Sequence, residues 1–489
     1  MKNSAYAAKN IESYIKQTIC NVVAVVLLSM AVAPLFGVTA KEICPNVILI
    51  LADDQGWNYT SVQMDPNNPS SRSDYHETPA LEKLASQGMR FSLAYASHPI
   101  CGPSRHAIQF GMNPARMQIT KNFYGPVAKN REFKPREVHP QDAMSATLKR
   151  LFPSYRTAHI GKWHIHGYTP AELGYDESDG STGNADANPG AEGYDPVKDP
   201  KRMMELTRRS IDFIERCKQS QQPFFLQLSH YAVHGREDSL RDTLKKYRAK
   251  SSGQYHKFPD VAACNENLDS AVGMLLKYLD DAGLASSTYI IYTSDNGGLD
   301  TKDRKDINRP LAHGKYYVHE GGIRVPLLIR GPGIPPGSHC GVPVVNMDIM
   351  PTVLDWIGSD LKKIPESVEG GSWAPLLKHH GRGDVKRLVD GIVISFPHLI
   401  GGKGDIKEEV TAYIRYPYKV IYNWRRKNTE LYDIGQDLGE YRDLSQQYPE
   451  RSDDLRRELF RYLDRYGESV EIKDMDQFLE WEKTKVEKP

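Results

Sequence analysis

An excess of charge of either sign is what this chain most obviously lacks. Its 63 Lys and Arg residues meet 62 Asp and Glu, a formal net charge of +1 over 489 residues. Nothing in that balance argues for a nucleic-acid partner or a polybasic membrane anchor. Internal repeats and long low-complexity tracts are also missing, which excludes a solenoid or a fibrous chain. Cysteine is scarce, six in all with no C-x-x-C pair, so no disulfide framework can be read from spacing. Cys44, Cys217, Cys264 and Cys340 read as free buried thiols, although an exported protein permits disulfides among them.

Long apolar runs are absent too, with one exception at the N-terminus. Lys2, Lys9 and Lys16 precede an apolar stretch from about Cys20 to Val38, closed by Gly37-Val38-Thr39-Ala40. Pro34 and Gly37 interrupt it and small residues occupy the place where a peptidase cuts. The stretch therefore reads as a secretory signal peptide over residues 1–40 rather than a stable membrane anchor. The expected location is periplasmic or extracellular.

What remains is ordinary soluble protein, 39% hydrophobic and 26% charged, and long enough for a large core and two domains. Val47-Ile48-Leu49-Ile50-Leu51 is an unbroken apolar run that ends in Asp53-Asp54. A run without alternation predicts a strand buried on both faces of a parallel sheet. Similar runs lie at Tyr155 to Ile160, before Gly161-Lys162-Trp163-His164, and at Phe224 to Leu228, before His230 and His234. Another lies at Tyr289 to Thr293, before Asp295-Asn296. Helices are predicted from Pro79, capped by Thr78, over 143–151, over 203–217 and over 260–284. Strands alternating with helices predict an α/β fold, a large mostly parallel sheet between helical layers. Ligands of such sheets bind beyond the carboxyl ends of the strands, and these polar residues all fall there. A boundary is expected near residue 384, dividing 41–384 from 385–489. The second part carries a small antiparallel sheet at Thr411 to Arg415 and Tyr418 to Trp424, with a covering helix marked by Leu455, Leu459, Tyr462, Leu463 and Tyr466.

Asp53, Asp54, Asp295 and Asn296 offer carboxylate and amide oxygens without sulfur or imidazole, which suits a hard divalent cation, calcium first and magnesium second. Asp-Asp and Asp-Asn-Gly are also turn and cap residues; two such pairs after two buried strands favour the metal. Arg105, Lys162, His164, His234 and Lys315 add the cationic and proton-transferring set that an anionic ester needs.

Cys101-Gly102-Pro103-Ser104-Arg105 suits a loop opening a helix at Pro103, and it resembles the modification site of the type I sulfatases. The resemblance extends through Asp53-Asp54, Gly161-Lys162-Trp163-His164, Tyr231-Ala232-Val233-His234, Ser294-Asp295-Asn296-Gly297-Gly298 and Lys315 before Glu320-Gly321-Gly322-Ile323-Arg324-Val325-Pro326. These run in the family's order from about residue 45 to 330. The resemblance implies an alkaline-phosphatase-like fold and hydrolysis of sulfate monoesters, on a sulfated sugar or oligosaccharide. It also implies that a sulfatase-maturing enzyme oxidises Cys101 to Cα-formylglycine. Asp53, Asp54, Asp295, Asn296 and modified Cys101 would hold calcium, and Arg105 the formylglycine hydrate. Lys162 and Lys315 would bind sulfate, His234 would protonate the leaving alcohol, and His164 would remove a proton. Gly235-Arg236 stands where a Thr-Pro pair is frequent in the family. Arg236, His166, His313 and His398 are candidates for touching a sugar. A phosphodiester or phosphonate monoester hydrolase of the same fold, and a non-catalytic sulfated-glycan-binding protein, remain as alternatives.

Overall fold

β1 (Asn46–Ala52) forms because its apolar run has nowhere wet to face: Val47 to Ala52 have no exposed surface. It lies at the middle of an eight-stranded sheet. The other strands are β2 (Met89–Phe91), β3 (Arg156–Gly161), β4 (Glu177–Ser178), β5 (Phe224–Ser229), β6 (Thr288–Ser294), β7 (Leu327–Arg330) and β8 (Ser338–Cys340). The order across the sheet is β4-β3-β5-β1-β6-β7-β2-β8. β4 through β6 run parallel, with Ile48 of β1 level with Leu226 of β5 and Ile290 of β6. β7 is antiparallel to β6 and to β2, which makes the sheet mixed. The computed structural model describes residues 44–120, 136, 138–188, 190–397 and 409–466. The leader expected over 1–40, with Cys20, and His398 lie outside the described residues.

The main helices are α1 (Pro79–Ser86), α2 (Cys101–Phe110), α3 (Met144–Leu151), α4 (Met203–Gln219), α5 (Arg241–Ala249), α6 (Pro259–Asp281), α7 (Glu320–Ile323), α8 (Ile349–Trp356) and α9 (Pro449–Tyr466). On α6 the expected stripe of Leu268, Val272, Leu275, Leu276 and Leu279 is buried in the core shared with β1, β5 and β6. Each such side chain contributes about 1.5–3 kcal/mol relative to exposure. Thr78 precedes α1 but does not cap it with its side chain, which instead bonds Ser61. Asp269 of α6 supplies the cap, accepting the Ala80 and Leu81 N–H groups at 2.9 and 2.8 Å. Its place on α6, 188 residues beyond Leu81 in the chain, hides that cap from any local pattern.

The second sheet is antiparallel, β9 (Ile392–Phe396), β10 (Val410–Arg415), β11 (Tyr418–Asn423) and β12 (Asn428–Asp433) in that order. α9 covers it, packing Leu455, Leu459, Phe460 and Leu463 with Val420, Tyr422, Trp424 and Leu431. β12 and α5 escape a pattern search for one reason: few of their side chains are buried, Leu431 and Tyr432 in β12 and Tyr247 in α5.

Candidate active site

Four neighbouring parallel strands, β3, β5, β1 and β6, deliver the site. Adjacency, which spacing alone leaves open, is thereby observed. Asp53 and Asp54 leave β1, Asp295 and Asn296 leave β6, Lys162 and His164 leave β3, and His234 follows β5. The turns are tied to one another: Asp53 N–H donates to Ala232 O at 2.8 Å, Val233 N–H to Asp53 O at 2.6 Å, and Lys162 N–H to Ser229 O at 2.8 Å. Asp54 and His164 take left-handed backbone conformations, φ 58° and 51°, which non-glycine residues adopt mainly where surrounding structure imposes it.

α2 brings Cys101 and Arg105, and the loop between β6 and α7 brings Lys315. α2 begins at Cys101, two residues before the expected Pro103, because Ile100 is already the extended N-cap residue. Pro103 still fits the first turn, where its missing N–H removes a donor that has no helical partner. Arg105 lies four residues on and therefore on the same face as Cys101. All ten residues of this helix are buried.

The side chains converge. Cys101 Sγ is 3.4 Å from Asp53 Oδ1, 3.6 Å from Asp54 Oδ1 and 3.4 Å from Lys315 Nζ. Lys162 Nζ pairs with Asp53 Oδ2, and Lys315 Nζ donates to both oxygens of Asp54 at 2.7 Å. Arg105 Nε donates to Asp295 Oδ2 at 2.8 Å and Nη1 to Lys162 O at 2.6 Å. Asn296 Nδ2 reaches Asp54 Oδ1 at 2.7 Å, and Asp54 N–H donates to Asp295 Oδ1 at 3.1 Å. His234 Nε2 stands 3.8 Å from Asp54 Oδ2. One ligand atom from each of Asp53, Asp54, Cys101 and Asp295 lies within 4.8 Å of all the others. Asn296 Oδ1 and Arg105 Nη2, both buried, have no hydrogen-bond partner. That donor set, hard oxygens with an orphaned amide oxygen among them, fits a metal site.

The electrostatics follow from burial and pairing. Burial pushes the Asp53 and Asp54 carboxyls up, but the neighbouring cations, Lys162 for Asp53 and Lys315 for Asp54, outweigh it and hold both below the usual range. Burial, then Asp295, pushes the Cys101 thiol well up, so it stays protonated and is a poor thiolate nucleophile. Burial, with Lys315 beside it, brings His234 down to about 4. Burial and then Lys162 push His164 down.

The remaining described sequence candidates are His166, His313 and Arg236. His166 is half-buried, its ring 5.6 Å from that of His164. His313 stacks on Tyr317 at 4.4 Å, and Arg236 is exposed. A residue the sequence reading passed over is Thr182. Its hydroxyl accepts Trp163 N–H at 2.9 Å and donates to Gly161 O at 2.7 Å, and its carbonyl accepts His164 N–H at 2.8 Å. It holds the Lys162–His164 turn from within a polar loop that offers no periodic signal. The described cysteines, Cys44, Cys101, Cys217, Cys264 and Cys340, are free.

The chain is similar to known proteins. The chain matches the family model described as Sulfatase over residues 45–359 and that described as N-sulphoglucosamine sulphohydrolase, C-terminal, over 312–466. It is 28% identical to a sulfatase of Formosa agariphila, over 87% of this chain and 89% of that protein. It is 30% identical to the N-acetylgalactosamine-6-sulfatase of Sus scrofa, over 68% of this chain and 66% of that protein. Among solved structures, Ps i-CgsB in complex with k-i-k-neocarrahexaose superimposes with a TM-score of 0.69 at 24% identity, over 86% of this chain and 92% of that one. The family model covers well over half of the sequence and includes every residue of the converging cluster, so the chain belongs to the sulfatase family and is an enzyme that hydrolyses sulfate esters.

Proposed function

We propose that this sulfatase is exported and removes sulfate from a sulfated carbohydrate, using a Cα-formylglycine made from Cys101 by a sulfatase-maturing enzyme. The observation that carries the reading is the placement of Cys101 Sγ between Asp53, Asp54 and Lys315. The thiol there is protonated and hemmed in by carboxylates, so it serves as a precursor rather than as the nucleophile. Hydrated formylglycine supplies a hydroxyl nucleophile and a second hydroxyl through which the aldehyde can be recovered. Asp53, Asp54, Asp295, Asn296 and modified Cys101 would hold the metal. Calcium, with its preference for several oxygen ligands, suits the set, and magnesium is the second choice. The ion would supply charge neutralisation for the sulfate oxygens.

The chain's own residues do the rest. Asp53, Asp54 and Asp295 carry three negative charges against three positive charges on Arg105, Lys162 and Lys315, so a bound divalent cation leaves the site positive and attractive to an anion. Lys162 and Lys315 bind sulfate oxygens, and Arg105 holds the side chain at position 101. The negative charge of a bound sulfate against Lys315 offsets what depresses His234 and raises its pKa, so that it can hold the proton it gives to the leaving alcohol oxygen. His164, kept neutral by burial and by Lys162, is free to take up a proton. The carbohydrate reading draws on the sugar named for the porcine relative and the oligosaccharide bound by Ps i-CgsB. The export reading draws on the leader sequence.

Parallel rate measurements on an aryl sulfate and the matching aryl phosphate test the chemistry. Faster sulfate release supports the reading, and faster phosphate release favours the phosphoester hydrolase. Retention of sulfated glycans with no sulfate release from matured protein makes the chain a binding protein.

A further inference from the structure

The Asn296 turn and the Lys315 loop are held in register by a third piece of backbone, the single turn α7 and its glycines. Gly297 N–H donates to Gly322 O at 2.9 Å, and Gly321 N–H donates to Ala312 O at 2.8 Å. A Cβ on Gly297 would run into Gly321 O, and one on Gly322 would run into the carbonyls of Gly314 and Tyr317. Main chain therefore touches main chain on both sides of this turn. Asn296, adjacent to Gly297, rests on one side; Lys315, between Gly314 and Tyr317, rests on the other.

The second sheet holds the turn. Lys419 of β11, with no exposed surface, places Nζ 3.2 Å from Glu320 Oε1 and 2.8 Å from Glu440 Oε1. Glu440 Oε2 accepts the Glu320 N–H at 2.7 Å, satisfying a donor at the start of the turn that has no helical partner. Glu320 Oε2 in turn accepts from Tyr95 Oη at 3.2 Å and from Arg324 Nη1 at 3.4 Å. The Arg324 guanidinium lies 4.3 Å from the centre of the Trp57 ring. Two buried carboxylates and two buried cations thus link the second sheet to the active-site loops. The desolvation cost of such a set offsets most of its pairing energy, so it does little for stability. It does fix where Glu320 sits.

We propose that Lys419 and Glu440 are positioning residues for sulfate hydrolysis, setting Asn296 and Lys315 through the Glu320–Gly322 turn. Neither touches substrate. The proposal rests on the roles given above to Asn296 and Lys315. Loosening the turn displaces a metal ligand and a sulfate-binding ammonium together, and a displacement of about 1 Å in such a site can cost about 10²-fold in rate.

The test uses matured full-length protein carrying Lys419→Met, Lys419→Arg or Glu440→Gln, with Lys315→Ala alongside. Aryl sulfate turnover gives kcat and KM, and calcium titration followed by thermal shift gives cation affinity. The expected result is a fall in kcat of about tenfold or more and weaker calcium binding in Lys419→Met and Glu440→Gln, with Lys419→Arg near wild type. A purely structural role would lower the melting temperature while leaving kcat and calcium affinity of the folded protein intact, and that result overturns the proposal. If Lys419→Met does not fold, Glu440→Gln, which keeps an acceptor for the Glu320 N–H, decides it on the same criteria. If Lys315→Ala alone keeps full kcat/KM, the site assignment fails and takes this proposal with it; wild-type behaviour of the Lys419 and Glu440 variants beside a crippled Lys315→Ala removes only the proposal.

Discussion

Asp348 and Asp295 are both buried aspartates with an arginine against them. Around Asp348 the hydrogen-bonding capacity is used up. Arg387 Nε and Nη2 reach its carboxylate at 2.8 and 2.6 Å, Trp373 Nε1 at 3.0 Å, and the N–H groups of Val345 and Gly371 at 2.9 Å each. Around Asp295 it is not. Arg105 Nε donates at 2.8 Å, yet Arg105 Nη2 and the neighbouring Asn296 Oδ1 make no hydrogen bond, and two further carboxylates share the cluster. A structural carboxylate is satisfied from every side by groups of its own fold. A functional one stands among like charges and leaves polar atoms directed at something else. Burial does not separate the two; the partner count does.

The comparison breaks first at Cys101. Cys101→Ala is expected to lower sulfate release by about 10³-fold or more while leaving the melting temperature near wild type, because the site was not built to stabilise the fold. Next, Asp348→Ala leaves the Arg387 guanidinium without its carboxylate, bonded only to Pro343 O, and the Trp373 indole N–H unpaired, and is expected to cost about 3–5 kcal/mol in denaturant unfolding, with KM unchanged in the protein that remains folded. Asp295→Asn is expected to do the reverse, costing less stability and removing the response to added cation. Equal destabilisation by the two would contradict the difference between a structural and a functional carboxylate. His234→Ala is expected to slow hydrolysis about 10²- to 10³-fold for a sugar sulfate, whose alkoxide needs a proton, and much less for an aryl sulfate with an acidic phenol; rates across a series of leaving groups read this directly. Calcium at a hundredfold excess over its Kd is expected to add about 2.7 kcal/mol to unfolding stability, reversed by chelation.

A last expectation concerns pH. Burial brings His76, His159 and His230 each to about 3. Since a histidine in the unfolded chain titrates near 6.5, each contributes stability that is fully present above that pH. It is lost on acidification at about 1.4 kcal/mol per pH unit per residue until the folded value is reached. Urea unfolding between pH 7 and 4 should show this slope, and His230→Gln should reduce it.

The catalytic end of the molecule was legible in the sequence because its strands are buried on both faces. An unbroken apolar run such as Val47 to Leu51 marks its own end, and Asp53-Asp54 stands out against it. The antiparallel sense of β7 was not legible, since Leu327 to Arg330 reads the same in either direction. Nor were the long-range supports: Asp269 capping α1, Thr182 holding the Lys162 turn, and Lys419 with Glu440 behind α7. Each is a polar residue whose partner lies elsewhere in the chain, so no local period or cap motif points to it. The antiparallel pairing of β10 and β11 was readable from the turn at Tyr416-Pro417, while their neighbours β9 and β12 were not recognised.

The most direct measurement is mass spectrometry of the tryptic peptide from Phe91 to Arg105, taken from protein made in a host with a maturation enzyme. The account predicts an aldehyde at position 101 in place of the thiol, and sulfate release in proportion to the modified fraction. An unmodified thiol in a preparation that still releases sulfate at full rate would contradict it.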